Sequence, residues 1–122
     1  MRREPQKISF IYRRLLNPLA HSVAGLFFAW RSEESFRIEL LLALALSLVA
    51  FVVDVTAIER ILLIGSLLLV LILEILNTAI EKTVDRISSE HHHLSKAIKD
   101  LGSAAVTLAL ALACVVWIAL LT

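Results

Sequence analysis

Charged and apolar positions alternate along this chain in long blocks rather than residue by residue. Ile38 to Val53 is apolar but for Glu39, and with Phe36 and Arg37 it reaches the roughly 17–20 residues that cross a bilayer as a helix. Ile58 to about Ile80 forms a second block and Leu101 to Leu121 a third, free of charge. The string TAIE at 56–59 fits a Thr-x-x-Glu capping box, so the second helix is predicted to start at Ala57. Ser95 is the expected N-cap of the third. Ahead of these blocks, NPLAHSVAGLFFAWR carries Leu19, Val23, Leu26 or Phe27, and Trp30 at spacings of three to four, with Arg14, Asn17, His21, Ser22 and Gly25 largely off that stripe. Asn17 as N-cap and Pro18 at the first helical position open this amphipathic helix. It reads as an interfacial helix over 17–31, either a plain anchor or a part of the working site. The fold class predicted is therefore an all-α integral membrane protein. Three transmembrane helices, at about 36–53, 58–80 and 101–121, follow the interfacial helix in a single domain.

Composition supports this reading. Of 122 residues 59% are hydrophobic, against the 45–50% or so of soluble domains, and mean hydropathy is +0.85. A net charge of +1 offers no basic field for nucleic acid. The one cysteine, Cys114, lies in an apolar run and reads as a packing residue. Arg2, Arg3, Lys7, Arg13, Arg14, Arg31 and Arg37 crowd the first forty residues, with no small-residue cleavage site after an apolar core. Lys82, Arg86, Lys96 and Lys99 flank the 82–99 connection, whereas the 54–60 turn has only Arg60. The positive-inside rule then puts the N-terminus in the cytoplasm and the C-terminus outside.

The chemistry concentrates in LEILNTAIEKTVDR, residues 73–86. At about 100° per residue, Glu74, Glu81 and Asp85 fall within roughly 20° of one line, with Asn77 about 60° aside. Glu74 lies inside the apolar block. A charge at the bilayer centre costs about 2.5–3.5 kcal/mol on insertion scales and marks a functional interior surface. Glu39 near the start of the first span belongs with it, although it could instead pair with Arg37. No phosphate-binding glycine motif exists, since Gly25, Gly65 and Gly102 are isolated. Three adjacent histidines, 91–93, point in different directions around a helix and have no partner at zinc-like spacing, so they favour a solvated loop over a metal site. Carboxylates at a membrane boundary suit a hard cation such as Mg²⁺ and the phosphate it accompanies; Lys99 and Asp100 could add a cation for phosphate and an acceptor.

The run EILNTAIEKTVDRISSEHHHLSKAIKDLGSAAV at 74–106, with AGLFFAWRSEESFRIE at 24–39, resembles the small membrane-integral diacylglycerol kinases of bacteria over nearly the whole chain. That resemblance implies a homotrimer in the cell inner membrane with composite sites between subunits, ATP and Mg²⁺ as co-reactants, and transfer to the sn-3 hydroxyl of diacylglycerol to give phosphatidate. Carried over by position, Glu74 is implied as general base and Asn77 as its active-site neighbour. Glu33 and Glu81 are implied as metal carboxylates. Arg14, His21, Glu90, His91, His92, Lys99 and Asp100 are implied as nucleotide contacts, with Glu33 and Glu81 beside them. The lipid substrate is assigned to Arg14, Glu39, Arg60, Glu74 and Ser103. Two departures from the family pattern fall in the N-terminal half of the nucleotide pocket: His21, where the best-known member has tyrosine, and Asn17-Pro18. Undecaprenol is the alternative acceptor within the family. A different class, a proton-coupled exporter using Glu74, fits less well because the polar residues crowd one leaflet rather than the midplane.

Overall fold

The computed structural model describes residues 4–87 and 92–122. Helices follow one another in the order α1 (Glu4–Ile11), a π-helical segment (Tyr12–Leu16), α2 (Asn17–Ser32), α3 (Glu34–Val52), α4 (Ala57–Ile87) and α5 (His93–Leu121). The described residues contain no strand. The chain packs as two compact units, one ending at Glu34 and the other running from Ser35 to Thr122.

In the first unit Asn17 is the first residue of α2 and not its N-cap. The backbone is already helical at Leu16, and the Asn17 N–H bonds back to the Tyr12 carbonyl, five residues earlier. Pro18 explains the local winding. Its ring removes one N–H and crowds the carbonyl four residues before it, and a wider π turn accommodates both. The predicted N-cap is thus a change of winding within a longer helical run. The apolar stripe of α2 (Leu19, Val23, Phe27) stays exposed, a surface suited to lipid.

The second unit holds the three spans, each long and apolar enough to cross a membrane. α4 is the most buried of them. It contributes Leu63, Ser66, Leu67, Val70, Glu74, Asn77, Thr78 and Val84 to the interior, and α5 answers with Gly102, Val106, Ala109 and Ala113. Small residues on α5 let the two backbones approach closely, which is how helices associate where lipid removes the hydrophobic drive between them. Val70, Ala109 and Ala113, with Leu73 beside them, form the apolar centre of this pair. α3 buries Phe36, Ala43 and Ala50, one residue every heptad.

The ends of the helices differ from the sequence expectation in instructive ways. At the start of α4 the capping residues act as predicted: Thr56 Oγ1 accepts from the Glu59 N–H at 3.2 Å and donates to Glu59 Oε1 at 2.9 Å. α4 runs on to Ile87, about 46 Å in all at 1.5 Å per residue. The last turns therefore exceed a hydrocarbon core of about 30 Å. α5 begins at His93, and its N-cap is His92 in place of Ser95: the His92 Nδ1 accepts from the Leu94 N–H at 3.1 Å. Both helices thus extend past their apolar blocks and carry polar residues out of the membrane on rigid backbone.

Arg60 and Trp117 fasten the opposite end. The Arg60 guanidinium donates from Nε to the Ala50 carbonyl at 2.8 Å and from Nη2 to the carbonyls of Val53 and Val55 at 3.3 and 3.4 Å. Ala50 is in the last turn of α3, where a helix leaves carbonyls without internal partners, and Val53 and Val55 lie in the connection that follows. Trp117 Nε1 on α5 donates to the Leu63 carbonyl on α4 at 3.1 Å.

Candidate active site on the carboxylate face of α4

A helix that must cross lipid and still present carboxylates can bury them only against other protein. α4 does this with Glu74, Asn77 and Thr78, all less than one-tenth exposed. Glu74 sits under α3: its carboxyl and that of Glu39 are within hydrogen-bonding reach of one another. The Glu39 Oε2 atom is buried without a hydrogen-bond partner among the described residues. Two carboxyl groups that the sequence placed in separate spans are thus brought together. One turn along α4, Asn77 Nδ2 donates to Glu81 Oε1 at 3.3 Å. Glu81 is only half-buried. The face runs from a closed environment at Glu74 to an accessible one at Glu81 within about 10 Å of helix.

Beyond Glu81 the charges pair both across and along the helices. Lys99 on α5 meets Asp85 on α4 at 2.6 Å, and Lys96 meets Asp100 at 2.6 Å along α5. Both pairs are substantially exposed, so each contributes about 0–1 kcal/mol and can exchange partners at little cost. The pairing of Lys99 had no local signal, since fourteen residues separate it from Asp85. Asp85 itself was legible as one turn beyond Glu81 on the same face.

The remaining expected residues fall as follows. Arg14 and His21 are exposed in the first unit, with the Arg14 guanidinium 5.6 Å from the Phe10 ring centre. Glu33, half-buried, belongs to that unit too. Ser103 is exposed on α5. Glu90 and His91 lie outside the described residues. His92 caps α5, and its ring stacks on that of His93 with centres 4.4 Å apart. Arg60 stands fourteen residues before Glu74, about 21 Å along α4, and its guanidinium is engaged by carbonyls at the end of α3 and in the α3–α4 connection.

Between α3, α4 and α5 lies a cavity of about 280 Å³. Glu39 stands at one end, Trp117 also lines it, and its walls include Leu46, Leu67 and Leu110. An apolar hollow beside a carboxyl pair suits a molecule with a long hydrocarbon part and one polar end.

Among the described residues no group of three or more His, Cys, Asp or Glu side chains could cage a metal. Mg²⁺ asks for less: it binds through one or two carboxylates and completes its shell with water and phosphate. An accessible carboxylate oriented by an amide, as Glu81 is by Asn77, fits that requirement.

Residues 20–121 match the family model for prokaryotic diacylglycerol kinase. A diacylglycerol kinase of Pseudomonas aeruginosa is 50% identical over 109 residues, covering 89% of each chain. That of Escherichia coli K12 is 47% identical over 110 residues, covering 90% of each. An undecaprenol kinase of Bacillus subtilis is 36% identical over 106 residues, covering 84% of each. With a family match over nearly all of α2 to α5 and relatives this similar over about nine-tenths of their length, the chain belongs to the prokaryotic diacylglycerol kinase family.

Proposed function

We propose that this protein transfers the γ-phosphoryl group of ATP to the sn-3 hydroxyl of diacylglycerol, giving phosphatidate and ADP. The observation that carries the reading is the graded face of α4, with Glu74 buried beside Glu39 and Glu81 half-exposed one heptad on. A lipid hydroxyl arriving from the bilayer meets the buried end, and a water-soluble nucleotide meets the other.

Phosphoryl transfer asks the protein for position, for charge to offset the phosphates and for a base near the attacking oxygen. Glu74 takes the hydroxyl proton as the new O–P bond forms and the bond to ADP breaks. Glu39, within reach of Glu74, orients that carboxylate. Glu81, held by Asn77, would carry Mg²⁺ together with Glu33; the ion neutralises charge on the phosphates when bound. Lys99 exchanges Asp85 for a phosphate oxygen, an inexpensive trade for an exposed pair. Arg14, His21, His92 and Asp100 complete the nucleotide contacts, and Ser103 a contact to the lipid.

The active form is a homotrimer. Glu39 and Glu81 stay only half-buried against their own chain, and because an intramembrane polar group must face protein or a water-lined space, partner subunits supply the walls that remain open. The N-terminus and the 82–99 connection are cytoplasmic, where ATP is, and the C-terminus is outside.

Transfer of labelled phosphate from ATP to diacylglycerol and to undecaprenol, each in mixed micelles, tests the proposal. Diacylglycerol is the expected acceptor. The acceptor named for the two relatives at 47–50% identity is diacylglycerol, whereas that of the Bacillus subtilis relative at 36% is undecaprenol. Labelling of undecaprenol alone would overturn the assignment.

A further inference from the structure

Gly102 is buried in the interior of α5, where alanine would be the better helix former. Its backbone does not explain it, since no glycine here has a positive φ. Space does. A Cβ at Gly102 would collide with Asn77 Oδ1 and stand 3.2 Å from Asn77 Cγ and 3.8 Å from Ile80 Cδ1. Gly25 and Gly65 have nothing within 4 Å of the corresponding point. Gly102 alone among the glycines is required by a neighbour, and that neighbour is a residue of the site.

Asn77 shows what the contact achieves. Its Oδ1 is buried without a hydrogen-bond partner among the described residues, while its Nδ2 donates to Glu81. A carboxamide free to choose would turn its oxygen toward a donor, because an unsatisfied buried acceptor is costly. Here the oxygen lies against the bare backbone of α5, and the nitrogen stays on the carboxylate. We infer that Gly102 is a positioning residue: its missing side chain admits the Asn77 carboxamide in the one orientation that holds Glu81.

This role rests on the reading of Glu81 as a carboxylate for Mg-ATP. The colliding atom in a Gly102→Ala protein is the tip of a rotatable side chain, so the helices need not separate. Asn77 turns away instead, and Glu81 loses its donor. The effect should therefore appear in metal–nucleotide affinity rather than in folding.

The test compares the wild type with Gly102→Ala, Asn77→Ala, the double variant and Glu81→Gln in detergent micelles. Binding of Mn²⁺ with a non-hydrolysable ATP analogue is followed by water-proton relaxation, beside kcat, the KM for Mg-ATP and the yield of folded protein. Gly102→Ala should weaken Mn–nucleotide binding and raise that KM by about 3- to 10-fold, the worth of one hydrogen bond, with kcat changing less. In the Asn77→Ala background the same change should add nothing. If Gly102→Ala lowers folded yield, the double variant, in which the obstructing side chain is gone, should recover it. The inference is overturned if Gly102→Ala binds as the wild type does while Asn77→Ala and Glu81→Gln are impaired. It is also overturned if the two losses multiply, or if a folding loss persists in the double variant. Wild-type binding by both Asn77→Ala and Glu81→Gln would instead refute the reading of Glu81, and the role of Gly102 with it.

Discussion

Replacing Arg60 with alanine separates a structural role from a substrate-binding one. The side chain closes the α3–α4 turn through one short bond, Nε to the Ala50 carbonyl at 2.8 Å, and two long ones at 3.3 and 3.4 Å to Val53 and Val55. Hydrogen bonds from a charged donor contribute about 1.5–3 kcal/mol each when well formed. The short bond merits that range and the long pair less, while water at the membrane surface can re-solvate part of what is lost. A net destabilisation of about 2–4 kcal/mol follows. Lysine offers one donor centre in place of a fork, so Arg60→Lys should recover less than half of it. Denaturation in micelles, monitored by circular dichroism, gives the stability, and phosphate transfer at varied diacylglycerol gives the KM. The expected result is lowered stability with the lipid KM within about twofold of wild type, since Arg60 lies about 21 Å along the helix from Glu74. Unchanged stability with a lipid KM raised tenfold would refute the reasoning and support the substrate contact that the family resemblance implies for Arg60.

Other expectations can be checked in the same preparations. Asp85→Asn should change stability by less than about 1 kcal/mol because its ion pair with Lys99 is exposed. Lys99→Met should raise the KM for Mg-ATP by about tenfold or more, the worth of one charged hydrogen bond. Trp117→Phe removes one indole bond to the Leu63 carbonyl and should cost about 0.5–1.5 kcal/mol in the same unfolding assay, leaving nucleotide affinity unchanged. Mixing inactive Glu74→Gln chains with inactive Glu33→Gln chains should restore activity if a site takes Glu33 and Glu74 from different subunits; no recovery after confirmed subunit exchange would place both in one chain.

Much of this architecture is legible in the residues because membranes make sequence patterns blunt. Three apolar blocks too long for a soluble core give three spans, and Thr56 and Glu59 fix the start of α4 through bonds between near neighbours. The carboxylate face follows from helical periodicity alone, so Glu74, Asn77 and Glu81 could be placed on one side before any packing was known. Long-range features left no such trace. That Glu39 faces Glu74, that Lys99 reaches Asp85 and that Gly102 admits Asn77 all depend on how α3 and α5 are set against α4. α4 and α5 extend past their apolar blocks: hydropathy reports where the membrane stops, not where the helix does. Pro18 misled for a related reason: its preference for a first helical turn was overridden by a π segment that keeps the helix going.

The central claim is that Glu74 accepts the lipid hydroxyl's proton from a buried position on α4. Glu74→Gln keeps the shape and much of the hydrogen-bonding capacity of the side chain and removes the base. Single-turnover transfer of labelled phosphate from ATP to diacylglycerol by this variant, alongside Mn–nucleotide binding, is the direct measurement. The account predicts transfer slowed by about 10²–10⁴, the usual contribution of a general base, with nucleotide affinity unchanged. Transfer at more than about a tenth of the wild-type rate would contradict it.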